Sequence, residues 1–91
     1  MVGTAGITGG DLGQMQQLAG QLSRASEEVR TLQSTVTNGV VSTQWTGPAS
    51  IRFREAWDTQ YRKNLDQLQQ ALTELGVEVK KRRDSLEAAS A

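Results

Sequence analysis

Trp45-Thr46-Gly47-Pro48 decides the fold, because it interrupts two long segments that both carry helical periodicity. Pro48 suits the first position of a helix: its missing N–H would be unpaired there anyway, and its φ is already helical. Gly47 before it can take backbone angles that other residues resist, and it lets the following arm approach closely. Trp45 is a large aromatic in a polar turn, and two roles are open to it. The indole can plug the open end of a helix pair, burying some 150–250 Å², or it can face a partner. The two are compatible, since a plug at an open end can stay partly visible.

Upstream of the corner, Met1 to Gly10 holds four of the nine glycines and no charge. That composition loses too much backbone entropy to order by itself, so residues 1–10 are expected to form a tail. Thr8-Gly9-Gly10-Asp11 fits a capping box, with Asp11 near the positive end of the helix dipole; a start two or three residues later fits equally well. From there Met15, Leu22, Val29 and Val36 recur at one heptad position and Leu18, Ala25, Leu32 and Gly39 at another. The spacing predicts a first helix over about 11–38, roughly 40 Å long at 1.5 Å per residue. Asn38-Gly39 reads as its stop, with a turn over about 39–47.

Downstream, the chain runs from Pro48 with no further Pro and one interior glycine, Gly76. The pattern predicts one continuous second helix over about 48–87, with a short tail at 89–91. Projected at 100° per residue, Ala49, Phe53, Ala56, Trp57, Tyr61, Leu65, Leu68, Ala71, Leu72, Leu75, Val79 and Leu86 form a stripe about half the helix wide. A helix with one neighbour needs only a narrow seam, so a stripe this wide is built to meet two. One neighbour is the first arm, and the other is best supplied by a second chain. The fold class is therefore all-α: an antiparallel helix-turn-helix hairpin that forms a four-helix bundle as a dimer. Met15, Leu18, Leu22, Val29, Leu32, Val36, Phe53, Trp57, Tyr61, Leu65, Leu68, Leu72 and Leu75 are the residues expected at the hairpin or dimer interface. The second arm is the longer, so its basic run Lys80-Lys81-Arg82-Arg83 is expected to project past the hairpin.

Composition removes several function classes. Lys+Arg and Asp+Glu both number 10, so no net charge advertises nucleic acid or an anionic membrane. Glu78, Asp84 and Glu87 dilute the basic run, and no aromatics interleave with it. A solvated helix end or a partner contact explains it better than nucleic acid or lipid. The chain has neither Cys nor His, which removes disulfides, thiolate nucleophiles, the usual zinc ligands and the usual neutral general base. Carboxylates at helical spacing, such as Glu55 with Asp58 or Glu74 with Glu78, read as solvated face charges. No enzyme, cofactor or metal is expected. No apolar run reaches the roughly 18 residues of a membrane span, and Met1 to Gly10 lacks the basic start and apolar centre of a cleavable signal peptide. Stable membrane insertion is not expected.

With Trp45-Thr46-Gly47 at the middle of a hairpin-length chain, followed by Ala49 and Phe53, the sequence resembles the WXG hundred-residue family, the ESAT-six-like or Esx proteins of type VII secretion. The resemblance spans nearly the whole chain by layout, while its specific part is the short Trp-X-Gly motif. It implies a hairpin that pairs with a second WXG-type chain and leaves the cell folded, secreted or surface-bound, through a membrane machine driven by a type VII secretion ATPase. Trp45 and Gly47 carry over as the turn and export motif. The family's usual tail signal, a Tyr followed four residues later by an acid, does not carry over: Tyr61 has Leu65 at that place. That favours a heterodimer whose partner holds the signal, with a homodimer still open. The rival function is an intracellular coiled-coil adaptor or regulator in which the corner is only structural.

Overall fold

The computed structural model describes residues 10–90. The expected tail therefore lies, but for Gly10, outside the described residues, as do the Thr8 half of the capping box and Ala91. Helix α1 spans Leu12–Ser42. Its start is the later one the sequence allowed: Asp11 is the N-cap, and its carboxylate accepts from the Gln14 N–H at 2.8 Å, satisfying one of the first-turn donors. The chain turns through residues 43–47 into α2, Pro48–Ala56. A π-helical turn, Trp57–Tyr61, joins α2 to α3, Arg62–Ser90. α1 packs antiparallel against the second arm in a rod of 64 × 19 × 16 Å, an all-α hairpin with no strand among the described residues.

Along α1 the inward positions are Leu12, Met15, Ala19, Leu22, Ser26, Val29, Gln33, Val36 and Val40, all buried or half-buried. They alternate steps of three and four, the period of a left-handed pair. The Met15, Leu22, Val29 and Val36 row lies where the heptads put it. The other row is shifted by one residue: Ala19, Ser26, Gln33 and Val40 face the second arm in place of Leu18, Ala25, Leu32 and Gly39. Small residues let the two backbones come close. A Cβ added at Gly76 would stand 3.5 Å from Leu22 Cβ and 3.8 Å from the Ala19 carbonyl oxygen, and the Ser26 hydroxyl lies 2.8 Å from that of Thr73.

The second arm is not the continuous helix its pattern suggests, and the break fixes which residues face inward. Arg54 and Trp57 point toward α1, with Ser50 on the same side of α2 facing the turn, whereas Leu65, Gln69, Leu72, Gly76, Val79, Arg83 and Leu86 are the inward positions of α3. Extending the first set by heptad steps would bring Tyr61, Leu68 and Leu75 inward. The observed set is one residue later throughout, because the π-turn inserts one extra residue and so resets the phase. Its widened bond runs from Arg62 N–H to the Trp57 carbonyl, and the Thr59 hydroxyl donates to the Glu55 carbonyl at 2.7 Å.

Two further expectations are corrected. Asn38-Gly39 does not stop α1, which continues through Ser42; the Gly39 carbonyl accepts from Thr43 N–H at 3.0 Å. The basic run does not project past the hairpin either. Lys80 shares a shallow groove with Gln16 and Ala19, Arg83 turns into the seam with 23% of its side chain exposed, and Leu86 Cδ2 lies 3.6 Å from where a Gly10 Cβ would stand. The surplus length of the second arm is shared between its ends: Arg54 already meets Val40 near the end of α1, and Leu86 lies beside Gly10 at its start.

Candidate functional site

Two features remain after the hairpin has closed, an apolar face along its length and the corner. Leu18, Ala25 and Leu32 on α1 and Leu68 and Leu75 on the second arm each lie one step before a seam position, with Tyr61 in heptad line with the latter two, whereas Val41, Ile51 and Val77 are exposed one step after Val40, Ser50 and Gly76. An antiparallel pair is related by a two-fold axis perpendicular to both helices, and that axis keeps equivalent positions on the same side. The two rows therefore form one face. Leu18, Leu32, Tyr61, Leu68 and Leu75 are 44–51% exposed there, leaving on the order of 400 Å² of apolar surface, as much as the largest patch on a typical monomer.

Of the residues expected at an interface, Trp57 is buried, and Met15, Leu22, Val29, Val36, Leu65 and Leu72 are half-buried in the hairpin seam. Leu18, Leu32, Tyr61, Leu68 and Leu75 are brought to the open face instead. Phe53 joins neither group and belongs to the corner. The wide stripe is thus divided between two faces by the π-turn.

At the corner Gly47 has φ of +105°, a region closed to residues with a Cβ, and Pro48 opens α2. The aromatic that seals the end of the pair is Trp57, 6% exposed, with its indole N–H donating to the Thr37 hydroxyl at 3.0 Å. Trp45 lies outside that plug. Its ring stands 5.9 Å from the Phe53 ring at a tilted angle, and 45% of the residue is exposed.

The backbone of the corner is held by side chains that the sequence reading left out. Ser50, 2% exposed, donates to the Trp45 carbonyl at 2.8 Å. The Arg54 guanidinium donates to Ser50 Oγ at 3.0 Å, to the Val40 carbonyl at 2.6 Å and to the Thr43 carbonyl at 3.3 Å; its reach to the Trp45 carbonyl is 3.5 Å. The signal was a polar pair four residues apart on the same side of the helix as Trp57. In an amphipathic helix such a pair reads as solvated.

Within the basic run Arg82 forms an ordinary surface pair, whereas Arg83 lies in the seam. Arg82 donates to Glu78 at 2.7 Å, which holds the Glu78 carboxyl below its usual range, first through that hydrogen bond and then through the guanidinium charge. Arg83 pairs with Asp84. No helix among the described residues is long and apolar enough to cross a membrane, and no group of three or more His, Cys, Asp or Glu among them could hold a metal ion.

One family model matches residues 10–90, that of WXG100, described as proteins of 100 residues with WXG. Comparison with curated proteins and with solved structures gives no significant match.

Proposed function

The chain belongs to the WXG100 family, and from that membership we propose that it is a non-enzymatic pairing protein of type VII secretion, exported as a folded dimer with a second WXG-type chain. The observation that carries the pairing is the open face of Leu18, Leu32, Tyr61, Leu68 and Leu75. A second hairpin laid on it completes a four-helix bundle and takes from water what a lone hairpin of this size leaves wet. The partner is a different chain bearing the Tyr-to-acid export signal. Supporting this, Tyr61, the one tyrosine of the sequence, is followed four residues later by Leu65, which serves the hairpin seam.

Trp45 and Gly47 form this chain's share of what the export ATPase recognises. The support is geometric: the corner is rigidly held, yet Trp45 is left half-open. On this reading the protein is made in the cytoplasm and then secreted or held at the cell surface.

Trp45→Ala and Gly47→Ala, expressed in the native host, are expected to remain mostly helical and to vanish from the culture supernatant. Secretion of both at the wild-type level would overturn the export reading. Sedimentation of the isolated chain tests the pairing: a cooperative, stable monomer would remove the need for a second hairpin.

A further inference from the structure

We infer that Arg54 is the positioning residue of the export corner, holding Trp45 in its recognisable pose through a fork shared between the two arms; this rests on the reading that the corner is what the export machinery contacts. α1 ends with no basic residue in its last turn, so its unpaired carbonyls and the negative end of its dipole need a donor from elsewhere. Arg54 reaches across from α2 to supply it. The same guanidinium bonds Val40 before the turn, Thr43 within it and Ser50 after it.

Ser50 carries that anchoring to the recognition residue itself. Its hydroxyl accepts from Arg54 Nε and donates to the Trp45 carbonyl, so the Trp45 backbone is fixed by a nearly fully buried side chain while the indole leans on Phe53. A flat guanidinium can make these bonds at once because its donors lie in a rigid fork; an ammonium is a point charge and cannot span them. The role is thus separable from helix capping. Lysine at this position keeps a cation at the end of α1 but loses the link to Ser50 and Trp45.

Arg54→Lys and Ser50→Ala are compared with the wild type and with Trp45→Ala in the full chain, reading secretion in the native host, helical content, and the indole 15N–1H signal of Trp45. Both test variants are expected to stay helical and to melt within a few degrees of wild type. Secretion falls about tenfold for Arg54→Lys and less for Ser50→Ala, and the Trp45 indole heteronuclear NOE drops in both. The Trp57 signal stays in place. If Trp45→Ala is not exported while both variants are exported normally, the export reading stands and the positioning role of Arg54 is wrong. If Trp45→Ala is itself exported normally, Trp45 is not what the machinery recognises and this inference falls, while Gly47→Ala decides the export reading. Should Arg54→Lys unfold, Ser50→Ala decides: unchanged secretion and an unchanged Trp45 signal overturn the inference.

Discussion

Trp57 and Thr37 join the two arms by a single hydrogen bond, from the indole N–H to the hydroxyl at 3.0 Å, at the level where the hairpin core ends. Trp57 is the one buried apolar side chain among the described residues, and its N–H has been taken out of water, so losing the acceptor costs more than the bond itself gains. Thr37→Val, which keeps shape and volume, is expected to cost about 1 kcal/mol, a melting temperature lower by roughly 4–8 °C for a chain of this size. Thr37→Ser retains the acceptor and should melt close to wild type. Equal melting of the two variants in thermal denaturation would show that the bond contributes nothing.

The glycines separate into those the fold needs and those it does not. Gly39 lies inside α1 with nothing within 4 Å of an added Cβ, and at Gly76 the added Cβ makes ordinary contacts at 3.5 and 3.8 Å. Gly39→Ala and Gly76→Ala should each stabilise by up to about 1 kcal/mol, the helix-propensity difference. Gly47, with φ of +105°, should behave oppositely: Gly47→Ala is expected to cost about 1–3 kcal/mol. Chemical denaturation of the three variants checks the signs, and a neutral Gly47→Ala would contradict the backbone argument.

Much of this hairpin is legible in its sequence, and the parts that are not share a cause. The Pro48 start and the Met15, Leu22, Val29, Val36 row follow from local chemistry and helical period. The second row of α1 does not, because a pattern search follows hydrophobicity and chooses Leu18 and Leu32, whereas close packing selects Ala19 and Ser26. Arg54 escapes for a similar reason, since nothing local shows that its fork will meet carbonyls of the other arm. The π-turn has no local signature at all. It absorbs the one-residue mismatch between a phase fixed at the corner by Ser50, Arg54 and Trp57 and a phase fixed downstream by Leu65, Leu72 and Val79.

Arg83 is the least comfortable occupant of the seam. Its Nε is buried without a hydrogen-bond partner, while its outer nitrogen pairs with Asp84. A buried donor left unpaired costs about 1–3 kcal/mol, and an apolar side chain, even a shorter one, avoids that cost. Arg83→Leu is expected to raise stability by about 1 kcal/mol, whereas Arg83→Ala, which also removes packing against the start of α1, should not. Urea denaturation of both variants distinguishes them, and destabilisation by Arg83→Leu would mean that the guanidinium is better satisfied than its surroundings indicate.

If the π-turn is the absorber of a one-residue mismatch, removing one residue within it should be harmless, and removing one elsewhere should not. Deleting Gln60 places Leu65 seven residues after Trp57, so a regular α-helix would join the two phases with the same residues facing α1 and the same open face. The variant is expected to keep its cooperative melting and its oligomeric state. Deleting Gln70 lies beyond the absorber and slips the rest of α3 by one position, turning Thr73, Val77, Lys80, Asp84 and Glu87 toward α1 in place of Leu72, Gly76, Val79, Arg83 and Leu86. Three charges would then enter the seam, each costing several kcal/mol unless paired. Cooperative unfolding should disappear for that variant, as read by circular dichroism against temperature. Equal tolerance of the two deletions would mean that the seam does not depend on phase. Loss of folding on deleting Gln60 would mean that the widened turn is itself required.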